Sequence, residues 1–271
     1  MNCLTRSIAM CATLLITACG GGGSGPEPLR VYIFAGQSNM LGADALITPD
    51  GLQDLAMAGQ QTPVDRSSKF TLGGAMSYPW GDIRGHNGTS FGEAALNGVP
   101  YKVHGPEVGF NRALGGDIAI IKFTDNYFAL EAGRSAWVKP GSKWTAWQAF
   151  VDQQLATIGE PYVIAGVVWF QGIDDGILGR DKASYKADLR QVLADLRSRF
   201  GAVPVVLGRS VDSQAVGSDG MRPIREAQVE VASEPGNAWV DVDDLPLVDI
   251  HHLTAAGQLV AGQRFAAKMA R

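Results

Sequence analysis

Continuous apolar runs alternate with segments of helical periodicity along most of this chain. Five runs read as strands: Leu29 to Phe34, Asp117 to Phe123, Tyr162 to Phe170, Val203 to Gly208, and Ala238 to Val242. Val163-Ile164-Ala165-Gly166-Val167-Val168 has no polar interruption, which suits a strand covered on both faces, as parallel sheets require. Between the runs, spacing predicts helices over Pro106 to Leu114, Trp144 to Ile158, Lys182 to Phe200, Arg222 to Ala232, and from about Thr254 to Met269. In the third, Leu189, Val192, Leu193, Leu196 and Phe200 recur at helical intervals, with charges around the rest of the surface. This alternation predicts a three-layer α/β/α sandwich around a five-stranded parallel sheet.

Two stretches depart from the rhythm. Leu41 to His104 is long, polar and glycine-rich, and a loop of that length inside a compact domain is usually functional. It is expected to wall a substrate site, with Trp80, His86, Tyr101 and His104 as candidate contacts. The other stretch is the N-terminus, where Arg6 precedes a mostly apolar run from Ile8 to Ile16 and the cleavage approach Ile16-Thr17-Ala18. Residues 1–18 therefore read as a signal peptide, too short in its apolar part to span a bilayer stably.

All three cysteines, Cys3, Cys11 and Cys19, fall in the first nineteen residues, so a domain over 29–271 has neither a disulfide framework nor a thiolate metal site to draw on. Residues 19–28 form a glycine-rich tether that stiffens at Pro26 and Pro28. Its glycines match G-x-G-x-x-G through Gly20, Gly22 and Gly25, but they precede a strand instead of following one, which excludes the dinucleotide reading. At 271 residues, 46% hydrophobic and 18% charged, the rest is of ordinary globular composition and suits one domain. A net charge of −4 with no concentrated basic segment argues against a nucleic-acid partner.

Candidate chemistry lies at the two ends of the domain. Val31-Tyr32-Ile33-Phe34-Ala35-Gly36-Gln37-Ser38 is a β-rich run that stops at glycine and presents a hydroxyl at the sheet's carboxyl edge, where open α/β folds keep their active residues. Ser38 reads as a nucleophile. Asp249-Ile250-His251-His252 then offers a carboxylate and two rival bases just before the last helix.

Four blocks in order, Gly36-Gln37-Ser38-Asn39-Met40, Gly105-Pro106-Glu107-Val108-Gly109-Phe110, Trp169-Phe170-Gln171-Gly172 and Asp249-Ile250-His251-His252-Leu253-Thr254, resemble those of SGNH hydrolases. More narrowly they resemble the sialate O-acetylesterase and acetylxylan esterase group, the carbohydrate esterases of family six and their relatives. The resemblance covers nearly all of the chain after the tether and implies a flavodoxin-like SGNH hydrolase fold. By it, Ser38 matches the nucleophile, Asp249 the carboxylate that steadies the imidazole, and His252 the base, because the family pattern places the base immediately before leucine. The backbone N–H groups of Ser38 and Gly105 and the side chain of Gln171 match the oxyanion donors, with glutamine where many SGNH enzymes carry asparagine. Relatives usually read Gln-Gly-Glu-Ser-Asp where this chain reads Gln171-Gly172-Ile173-Asp174-Asp175. Either Asp174 or Asp175 substitutes for that glutamate, or both are solvated loop carboxylates, and the second is the expectation.

The resemblance implies removal of O-acetyl groups from a carbohydrate with no cofactor and no metal. The competing functions are an SGNH lipase or thioesterase with an apolar acyl channel, and a catalytically idle glycan-binding lipoprotein. Ile16-Thr17-Ala18-Cys19 also resembles a bacterial lipobox. It implies lipidation of Cys19 and a membrane anchor, with Gly20 pointing to the outer membrane.

Overall fold

In the computed structural model, residues 27–43, 45–47, 69–74, 77–82, 86–87, 102–125, 130 and 136–270 are described. Cys19, the leader and the tether as far as residue 26 lie outside them. The elements follow in the order β1 (Leu29–Gly36), α1 (Ser38–Leu41), β2 (Leu46–Ile47), β3 (Lys69–Gly74), β4 (Tyr78–Asp82), β5 (His86–Asn87), β6 (Lys102–Val103), α2 (Glu107–Leu114), β7 (Ile118–Thr124), α3 (Ser142–Ala156), β8 (Tyr162–Phe170), α4 (Ile173–Ile177), α5 (Lys182–Phe200), β9 (Val205–Gly208), α6 (Gly217–Ala232), β10 (Asn237–Val240) and α7 (Ala255–Met269).

Seven strands make the main sheet, in the order β10-β9-β8-β1-β7-β3-β4, flanked by helices as an α/β/α sandwich. All neighbours are parallel except β4, which runs antiparallel to β3 at the edge. The five expected strands form the run β10 to β7, and β3 and β4 extend the sheet beyond the expected number. The sequence there lacks a signal because Lys69-Phe70-Thr71-Leu72-Gly73-Gly74 is short and ends in glycines, and its strand is defined by pairing along β7. Among the described residues, β2, β6 and β5 form a second, three-stranded antiparallel sheet.

The sheet's centre is dry. Val31 to Ala35 of β1 are all buried, with their neighbours Ile118 to Ile121 and Val167 to Phe170. Burial on both faces is what the unbroken apolar runs demand. Gly36 pairs with Thr124 of β7 on one side and Phe170 of β8 on the other, so three central strands end level at the carboxyl edge. A Cβ on Gly36 would lie 2.1 Å from the Phe170 carbonyl oxygen, which makes glycine the residue that lets β1 end against β8.

Helix ends follow their local chemistry. The Asp181 carboxylate caps α5 by accepting from the N–H groups of Ala183 and Ser184, both at 2.9 Å, and Thr254 caps α7 through the Gly257 N–H. Helices α2 and α7 cross at glycines. A Cβ on Gly109 would meet the Leu259 carbonyl oxygen at 2.0 Å, and one on Gly262 the Pro106 carbonyl oxygen at 2.1 Å.

Candidate active site

The position of Ser38 follows from the end of β1. Gln37 stays extended, Ser38 opens the single turn α1, and Gly42 closes it in the left-handed region at φ 87°, with its N–H on the Ser38 carbonyl. All four residues of α1 are buried, and Ser38 retains 6% exposure. The Gln37 side chain ties this turn to the loop after β8: its Oε1 accepts from the N–H groups of Gly172 at 2.6 Å and Ile173 at 3.2 Å.

On the other side, the loop between β10 and α7 is folded around Asp249. One carboxylate oxygen accepts from the N–H groups of His251 at 2.8 Å and His252 at 2.7 Å. The other lies 2.6 Å from His252 Nδ1. Burial works against ionised Asp249, yet the His251 N–H, the His252 ring and the His252 N–H together hold its carboxyl below the ordinary carboxylate range. With an ionised acceptor at Nδ1, a neutral His252 ring donates from that nitrogen and carries its lone pair on Nε2. The choice between adjacent histidines is therefore a matter of geometry. His252 is buried and engages Asp249 through its ring, whereas the His251 ring lies edge-on to it at 4.2 Å and reaches Ser213 Oγ at 3.4 Å.

Ser38, Asp249 and His252, separated by most of the chain, line one cavity of about 560 Å³ with Gln37, His251 and Asp174. The side chain that joins the two loops is Asn39, which lies outside every candidate role assigned from sequence. Its Nδ2 donates to the His251 carbonyl at 2.8 Å, its Oδ1 accepts from the Leu253 N–H at 3.0 Å, and its own carbonyl takes Gln258 Nε2 at 2.9 Å.

The expected oxyanion donors are placed less simply. The Ser38 N–H stands in the first turn of α1, where a helix offers it no internal acceptor. The single N–H of Gly105 is donated to Glu107 Oε1 at 3.0 Å, so an oxyanion at Ser38 would have to draw it from that carboxylate. Gln171 lies buried after β8 and donates from Nε2 to Asp175 Oδ2 at 2.5 Å, while Tyr185 OH donates to its Oε1 at 3.4 Å. This bond to Asp175 sets the orientation of the Gln171 amide.

Asp175 corrects the expectation of a solvated loop carboxylate. It is fully buried and accepts from Gln171, the Leu130 N–H at 3.2 Å and Arg180 Nη1 at 2.8 Å. Burial raises its pKa against the lowering effect of those partners. Asp174 is partly exposed, lines the cavity, and accepts from Gln37 Nε2 at 3.4 Å.

Of the candidate wall residues, Trp80 sits on edge strand β4 and donates to Thr157 Oγ1 at 2.9 Å, beside the end of α3 and three strands from β1. It is not a wall of this cavity. His104 is buried with Nδ1 2.9 Å from the Gly105 carbonyl, and Tyr101 and the His86 side chain lie outside the described residues.

Beneath the Gly105 turn a second signal went unread in the sequence. Lys122, in the middle of β7, is fully buried and donates to Glu107 Oε2 at 2.6 Å and to the Leu41 carbonyl at 3.1 Å. Burial lowers its pKa and Glu107 opposes that. A lysine within an otherwise apolar strand is the clue, because such a charge needs a buried partner. Among the described residues, Asp249, His251 and His252 also have ligand atoms within 4.8 Å of one another. A metal there would compete with the 2.6 Å contact between Asp249 and His252 Nδ1.

A family model described as carbohydrate esterase, sialic acid-specific acetylesterase, matches residues 28–271. No curated protein matches the chain. Among solved structures, a protein from Arabidopsis thaliana superposes with a TM-score of 0.65 at 20% identity, over 90% of this chain and 98% of that one. NanS gives 0.63 at 14% identity over 90% and 97%. Est24, a carbohydrate acetylesterase from Sinorhizobium meliloti, gives 0.50 at 11% identity over 89% and 98%. At these identities the likeness is one of fold.

Proposed function

We propose that this chain, which belongs to the sialic acid-specific acetylesterase family of carbohydrate esterases, removes O-acetyl groups from a carbohydrate by a Ser-His-Asp mechanism. The observation that carries the reading is the Asp249–His252 pair, at 2.6 Å, lining one cavity with Ser38. Nε2 of His252 takes the Ser38 hydroxyl proton as Oγ bonds to the acetyl carbon, and the displaced carbonyl electrons collect on an oxyanion. The Ser38 N–H and the Gln171 side chain are the donors for that charge, joined by Gly105 if its N–H exchanges Glu107 for the oxyanion. The bond to the sugar oxygen breaks as His252 returns the proton to it, leaving acetyl-Ser38. Water, deprotonated by the same imidazole, releases acetate and restores the serine. Asp249 keeps the ring in the useful tautomer throughout.

The lipobox-like Ile16-Thr17-Ala18-Cys19 supports an exported protein anchored through acylated Cys19 to the outer membrane. The test of the catalytic reading is acetate release from a panel of O-acetylated polysaccharides beside the Ser38→Ala protein. Release that the variant abolishes is the expected result. Equal release by both proteins rejects Ser38 as nucleophile.

A further inference from the structure

We propose that the alcohol half of the ester carries an apolar group, an alkyl or aryl aglycone, that packs on Ile173, Ile177, Leu178 and Ile250. The inference rests on the acetylesterase reading and deepens it by describing the sugar's other substituent.

Ile177, Leu178 and Ile250 are 48%, 44% and 44% exposed, and all three line the cavity that holds Ser38 and His252. Ile173, only 3% exposed, lines the same cavity from the first residue of α4. An aliphatic side chain left in water forgoes the stabilisation that burial gives, and several gathered at one mouth mark a place where apolar surface is received.

Two arguments assign that surface to the alcohol. A two-carbon acyl group fills little of about 560 Å³, a volume in the range that holds a whole small ligand, so most of the space belongs to the other half of the ester. The alcohol also leaves toward His252, which protonates its oxygen, and Ile250 stands two positions before that base in the same loop. Asp174 and His251, which line the same cavity, offer partners for the sugar's hydroxyls.

The experiment holds the acyl group as acetate and lengthens the aglycone, comparing mono-O-acetylated methyl, butyl and hexyl xylosides with the full-length protein. kcat/KM is expected to rise on the order of tenfold from methyl to hexyl, the equivalent of about two buried methylenes at ~0.8 kcal/mol each. In Ile177→Ser/Leu178→Ser, two exposed positions that folding tolerates, the hexyl-to-methyl ratio is expected to fall to about one. Equal kcat/KM across the series overturns the inference. So does a gain on lengthening the acyl chain of 4-nitrophenyl esters in place of the aglycone, because that puts the apolar wall on the acyl side. Hydrolysis of 4-nitrophenyl acetate that Ser38→Ala abolishes supports the esterase reading separately, so a flat aglycone series beside it rejects this inference alone.

Discussion

Asn39 clasps the backbone on both sides of His252. Its amide donates to the carbonyl of His251 and accepts from the N–H of Leu253, 214 positions away, so the residue next to Ser38 fixes the loop that carries His252.

Asn39→Ala is expected to strand the buried Leu253 N–H, at about 1–3 kcal/mol, and to remove the amide from the part-buried His251 carbonyl. The loop would also lose its fixed distance from Ser38, and a misplacement of ~1 Å costs on the order of 10² in rate. Thermal melts beside kcat on an aryl acetate check both effects. A variant of unchanged kcat and lowered melting temperature would make Asn39 purely structural.

Asp249→Asn tests the relay and its pH dependence together. The native carboxyl titrates below its ordinary value, so the stability it contributes is present above the unfolded carboxylate's pKa and is lost as pH falls through the lower, folded one. The variant should show a flatter stability profile across that acidic window. It should also lose about 10⁴ in kcat at neutral pH, because an amide allows the wrong imidazole tautomer. Denaturant midpoints from acidic to neutral pH, with parallel rates, measure the two.

Asp175→Ala should act through Gln171. Without its carboxylate partner the amide loses its set orientation, and kcat is expected to fall toward the ~10²–10³ cost of a missing oxyanion donor, with KM little changed. A rise in KM at constant kcat would place Asp175 in substrate binding instead.

The buried pair of Lys122 and Glu107 answers to removal of one partner. Lys122→Met leaves Glu107 charged without the Lys122 ammonium beneath the Gly105 turn, a loss of about 3–5 kcal/mol. Adding Glu107→Gln keeps an acceptor for the Gly105 N–H while removing the charge, so the double variant should regain much of that stability. Chemical denaturation of the four proteins forms the cycle.

Cys19→Ser should move the protein from membrane to soluble fractions, since the proposed acyl chains contribute ~0.8 kcal/mol per buried methylene. Continued membrane association of the variant would reject the lipid anchor.

Much of the fold was legible because its signals are local. The unbroken run Tyr162 to Phe170 and the helical stripe from Lys182 to Phe200 each carry their own periodicity, and both elements appear with those bounds. Strands β3 and β4 carry none, being short and glycine-containing: β3 is defined by its pairing with β7, far along the chain, and β4 by its pairing with β3. The same distinction applies in the site. Asp249 and His252 are three residues apart and legible as a pair, whereas the partners of Asn39 lie at the other end of the sequence. Asp175 reads as a loop carboxylate until its contacts with Gln171, Leu130 and Arg180 are seen in space.

The glycine crossing of α2 and α7 seats the helix that follows the loop of His252. A ribosome delivers the serine early and the imidazole late, and the C-terminal helix seats only where Gly109 and Gly262 let the two backbones touch. On the proposed mechanism, the Ser38 hydroxyl has its proton acceptor only once that helix holds the loop of His252 in place. A newborn polypeptide working by that mechanism is chemically silent until the helix docks, so its reactivity reports completed assembly of the two ends.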